Sequence, residues 1–103
     1  MKKENFYNII SEGTINGCVI GNFEGHFEDS GFRINYCGTS FDKPEYYIYS
    51  FKSEDEPLFE EGTDTDQKYS DFYEALNKFK IKGKSISDQI ENIVSCGFIE
   101  YIK

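Results

Sequence analysis

Apolar and polar positions alternate with a period that changes along the chain, and the changes mark out its elements. Near the N-terminus Phe6, Ile9 and Ile10 recur at helical spacing and Gly13 follows where a left-handed cap belongs, so residues 3–12 read as a short amphipathic helix. Residues 15–23 read as a strand, with Cys18 and Ile20 on one face and Val19 on the other. Gly17 and Gly21 mark that strand for a bulge or a close backbone approach. Residues 24–31, with the turn formers Asp29, Ser30 and Gly31, make a connection. Residues 32–38 then alternate cleanly, Phe32, Ile34 and Tyr36 on one side and Arg33, Asn35 and Cys37 on the other. After a turn over residues 39–44, residues 45–52 form a third strand in which Tyr47, Tyr49 and Phe51 alternate with Tyr46, Ile48 and Ser50. Both faces of that strand carry large side chains. Tyrosines left in contact with solvent suit a recognition surface, because they bring contact area at small rotamer cost. The alternative places their rings on the core with the hydroxyls at its edge.

Further on, the period returns to that of a helix. Tyr69, Phe72, Tyr73, Leu76 and Phe79 form a stripe that predicts a helix over residues 70–80, with Ser70 or Asp71 as cap and Glu74 completing a capping box if Asp71 takes that place. Gly83 interrupts the pattern. Ser85 and Asp88 repeat the capping spacing ahead of Ile86, Ile90, Ile93 and Val94, a second amphipathic helix closed by Gly97, and residues 98–102 make a last strand. The sum is a single α+β domain over residues 1–103: a short N-terminal helix, a three-stranded antiparallel meander, two amphipathic helices and a C-terminal strand joining the sheet.

Composition adds a sign to this outline. The chain has 103 residues, enough for one core, and its ten Phe and eight Tyr argue against disorder. The net charge is −8 and is unevenly placed: residues 4–67 total −11, and residues 68–103 total +1. Most of it lies in residues 53–66, where Glu54, Asp55, Glu56, Glu60, Glu61, Asp64 and Asp66 occur without one Lys or Arg. A field of this sign repels phosphate backbones and anionic lipid, so direct nucleic-acid and membrane-surface binding are disfavoured and a basic protein partner is favoured. Cys18, Cys37 and Cys96 are odd in number and lack C-x-x-C spacing, and neither a signal peptide nor a membrane span is legible. Those features predict a reduced, cytoplasmic protein with free thiols.

Candidate chemistry is sparse. Gly83-Lys84-Ser85 lacks the glycine five residues earlier that a phosphate loop requires, since Lys78 stands there. A calcium loop starting at Asp64 would need Gly where Tyr69 stands and Glu where Ala75 stands. No cofactor or metal is predicted. His26, the only histidine, could act as a general base oriented by Glu24 or Glu28, or pair with Cys37 as a thiol–imidazole couple; an exposed loop histidine is the plainer expectation. Without a catalytic constellation, the expected role is binding rather than catalysis, through Glu54, Asp55, Glu56, Glu60, Glu61, Asp64 and Asp66 together with Tyr47 and Tyr49. Self-association through an edge strand at residues 98–101 is a further alternative.

In length, acidity, the cluster from Glu54 to Asp66 and aromatic strands such as Tyr46-Tyr47-Ile48-Tyr49, the chain resembles the small acidic immunity proteins of bacterial toxin systems, including contact-dependent growth inhibition. The resemblance implies a cytoplasmic inhibitor of a cognate toxin, often a nuclease. It matches no family motif, so it assigns no residue a role.

Overall fold

The computed structural model describes residues 1–37, 43–52 and 67–100. Helix α1 (Lys3–Glu12) leads into a two-stranded hairpin, β1 (Thr14–Ile15) and β2 (Cys18–Val19), and then into β3 (Asn22–His26), β4 (Ser30–Tyr36) and β5 (Tyr46–Lys52). Next come β6 (Gln67–Tyr69), helix α2 (Phe72–Lys78), a second small hairpin of β7 (Lys80–Ile81) and β8 (Lys84–Ser85), a 3₁₀ helix (Ser87–Asn92) and β9 (Ser95–Glu100). The long strands form one antiparallel sheet in the order β6-β5-β4-β3-β9. The fold is therefore mixed α and β around an antiparallel meander, and the C-terminal strand returns beside β3.

Period-2 alternation decides which face of that sheet takes the helices. Phe23, Phe32, Ile34, Tyr46 and Ile48 point to one side and form a single buried cluster with Phe6 and Ile10 of α1, Phe72, Ala75 and Leu76 of α2, and Ile86, Ile90 and Ile93. Phe23 is its hub: its ring lies 5.7 Å from Phe6, 6.2 Å from Phe32, 5.8 Å from Phe72 and 5.2 Å from Phe98. Gly25 makes room for this packing, because a Cβ there would stand 2.5 Å from the Phe32 ring. Tyr46 ties the first hairpin to the sheet. Its buried hydroxyl donates to the Val19 carbonyl at 2.8 Å and lies 3.2 Å from Cys18 Sγ, and burial raises its pKa well above the usual phenol value.

Several local expectations change. Residues 15–23 are not one strand: Asn16 and Gly17, with φ of 52° and 77°, fold the chain back as β1 and β2. Asn-Gly is the residue pair that a two-residue hairpin turn needs, and it overrides the alternation around it. Lys82 and Gly83, at 56° and 82°, make the same turn between β7 and β8. The connection expected at residues 24–31 is mostly strand, leaving only Phe27 to Asp29 between β3 and β4.

Helix α2 is shorter than residues 70–80, but Asp71 caps it as expected, its carboxylate accepting from the Glu74 N–H at 3.1 Å. Tyr69 belongs instead to β6, a strand the helical stripe concealed. The second amphipathic helix is a 3₁₀ helix broken at Gln89, although Ser85 Oγ accepts from the Asp88 N–H as the capping spacing implied. Gly97 lies inside β9, opposite Glu24, and caps nothing. Among the described residues no helix is long and apolar enough to cross a membrane.

Candidate functional site

The face of the sheet turned away from the helices holds the densest polar arrangement. Glu24 and His26 leave β3 on this face, Arg33 leaves β4 directly opposite Glu24, and Tyr49 of β5 stands opposite Arg33. Arg33 donates from Nη2 and Nε to Glu24 Oε1 at 2.7 and 3.1 Å, and His26 Nε2 lies 2.9 Å from Glu24 Oε2. An ionised carboxylate only accepts, so the proton of that contact sits on Nε2 and leaves Nδ1 for another partner. Burial pushes the Glu24 carboxyl up, but the hydrogen bonds from Arg33 and His26 outweigh it and hold it below the usual carboxylate value. The Phe51 ring packs edge-on to His26 at 5.7 Å and lies 6.4 Å from Tyr49. Tyr49 and Phe51 are 5% and 7% exposed, although neither belongs to the cluster beneath the helices.

Of the sequence-predicted residues, the structure brings His26 and Glu24 together. Glu28 lies on the turn beyond them, and Cys37 is elsewhere, its Sγ donating to the Glu45 carbonyl at 3.5 Å. Tyr47 is half-buried beneath Lys68, whose Nζ stands 5.9 Å from the ring centre. Glu54, Asp55, Glu56, Glu60, Glu61, Asp64 and Asp66 lie outside the described residues.

Arg33, the only arginine, is the member that sequence reasoning passed over. With a three-residue turn at residues 27–29, it falls opposite Glu24. The signal was the alternation of Phe23, Gly25 and Phe27, in which glycine takes a core position.

All three cysteines are free. Burial, then the nearby Glu45 charge, raises the Cys37 thiol, and burial pushes the Cys96 thiol up to about 11. Both are thiols rather than thiolates at neutral pH, so neither is an activated nucleophile. Among the described residues no group of three or more His, Cys, Asp or Glu converges as a metal site would.

A second concave feature lies at one end of the sheet. The β3–β4 turn, the β7–β8 turn and the 3₁₀ helix enclose a groove of about 570 Å³. The first two turns are joined across it by an ion pair of Asp29 with Lys82, which holds the Asp29 carboxyl below its usual value. No protein-family model, curated protein or solved structure matches this chain.

Proposed function

We infer that the chain is a binding protein that neutralises a basic protein partner by covering its cationic surface, and that this partner is a toxin acting on nucleic acid. Segregation of charge carries the reading. Residues 53–66 hold seven acids and no base, whereas the other 89 residues hold twelve acids and eleven bases. Those 89 residues are thus almost neutral at −1, and −7 of the chain's −8 comes from one connection. The strands that flank it, β5 and β6, are hydrogen-bonded neighbours, so both its ends are anchored on the sheet.

A toxin that grips phosphate needs a cationic groove, and Glu54, Asp55, Glu56, Glu60, Glu61, Asp64 and Asp66 are what such a groove attracts. Complementary fields accelerate encounter, and the half-buried Tyr47 adds contact area that slows departure. The mechanism is occlusion, with no chemical step on this chain. The likeness to acidic immunity proteins supports the identity of the partner as a toxin.

The 2.9 Å contact of His26 with Glu24 favours a second reading, an enzyme using His26 as base. Arg33 also engages Glu24, which suits a structural ion network better than acid–base work. Loss of a defined activity in His26→Ala would select the enzyme. Affinity capture from the native cells at low salt tests the first reading, followed by toxicity of the captured protein with and without this chain. One basic partner whose toxicity the chain suppresses is expected; no partner and no suppression would overturn it.

A further inference from the structure

The two edges of the sheet are built differently. At one, β6 is three residues long and carries Lys68, which reaches Glu45 at 3.8 Å; a short, charged strand is how a sheet edge resists adding another. At the other, β9 is six residues long and among the described residues pairs with β3 alone. No charged residue and no proline falls between Asn92 and Ile99. The core layer stops unfinished at this edge: Cys96 and Phe98 pack on the buried cluster yet stay half-buried, whereas Phe23, Phe32 and Ile48 of the inner strands are fully buried. On the opposite face of β9 Ile99 is 48% exposed, and just before the strand Val94 is 62% exposed. Gly97 shares the face of Ile99 and leaves a gap there, since a Cβ on it would meet nothing within 4 Å.

We propose that β9 is a dimerisation edge, occupied by β9 of a second copy of this chain laid antiparallel, so that two five-stranded sheets become one. A strand edge is satisfied by the N–H and C=O groups of another strand, which identifies the occupant as extended chain. Self-complementarity identifies it as the same strand. Facing residues of an antiparallel pair lie on one face, so the register that sets Gly97 opposite Ile99 of the second copy also sets Ile99 opposite its Gly97. Each exposed isoleucine then fills the gap that the other copy's glycine leaves. The two-fold axis falls at Phe98, where the core layers of the two copies meet. Both strands are uncharged over this length, so the pairing leaves no charge without a counter-charge. A strand from a basic protein would instead bring its cations against a strip that holds no acid between residues 92 and 99.

Self-pairing is independent of the toxin reading, and its test needs no toxin. Sedimentation equilibrium of the full chain at several concentrations should show monomer and dimer in exchange. Copies of net charge −8 repel at long range and salt screens that repulsion, so the dimer should tighten as ionic strength rises, the reverse of what capture of a basic partner predicts. Amide NMR shifts should move with concentration at residues 94–99 and stay fixed in β6. Ile99→Lys places a charge on the edge and should weaken the dimer about tenfold or more. Ile99 is half exposed, so at concentrations where the wild type is monomeric the variant keeps its urea transition. Gly97→Glu combined with Ile99→Lys sets opposite charges across the pair and should recover part of the loss. A monomer at every concentration, which leaves the edge to another protein's strand or to solvent, overturns the proposal. So do concentration-dependent shifts that spare residues 94–99, and a dimer that Ile99→Lys leaves unchanged. A double variant no tighter than Ile99→Lys overturns the register.

Discussion

Under the helices, Phe23, Phe32, Ile34 and Ile48 are fully buried in one apolar cluster; one position along the same strands, Glu24, Arg33 and Tyr49 face the other way, where Arg33 and His26 hydrogen-bond to Glu24. The first face gains from removing surface from water, which is non-directional and large. The second face gains only if each polar group finds its partner, because a charge taken from water and left alone costs more than the pair returns. The meander thus separates two tasks by alternation: one side supplies stability, and the other fixes register by pairing the only arginine with Glu24.

The largest effect should come from the first face. Phe23→Ala removes the ring that four other rings surround, and should cost about 3–5 kcal/mol, enough to unfold much of a domain of ordinary stability. Urea denaturation checks it. On the second face Arg33→Ala should cost about 1–2 kcal/mol, since Glu24 is 17% exposed and water compensates in part. Glu24→Gln with Arg33→Ala should cost less than the sum of the single changes, and additivity in that cycle would dissolve the network as a unit.

Acid should separate the faces further. The folded Glu24 carboxyl sits below its unfolded value, so its contribution is present above the ordinary carboxylate range and is lost as pH falls through the folded value. Stability measured across that range should therefore decline less steeply in Glu24→Gln than in the wild type. The smallest effect on stability belongs to the groove: Glu28→Gln and Glu91→Gln remove exposed charges that make no ion pair among the described residues and should move it by no more than about 0.5 kcal/mol each.

The uneven legibility of the sequence follows the same physics. Strands β4 and β5 were readable because one buried face writes period-2 alternation, and the start of α2 because Asp71 and Glu74 satisfy its first N–H groups locally. Hairpins at Asn16–Gly17 and Lys82–Gly83 were hidden by the apolar residues around them, which resemble a longer strand or the tail of a helix. Gly25 concealed β3, since a glycine in a core position is paid for by the Phe32 ring that covers it, a contact across strands. The Glu24–Arg33–His26 network needs the register of the β3–β4 turn, and the groove needs residues 27–30, 82 and 89–94 brought together. Neither has a local signature. The acidic run at residues 53–66, by contrast, required no fold to be seen.

The most direct test is the association rate of the captured partner with wild-type chain and with a Glu54→Lys, Asp55→Lys, Glu56→Lys variant, each over a range of salt. Electrostatic capture predicts that the variant associates about tenfold more slowly or worse at low salt and that its rate depends less on ionic strength. Equal rates and equal salt dependence would contradict the account and remove residues 53–66 from the interface.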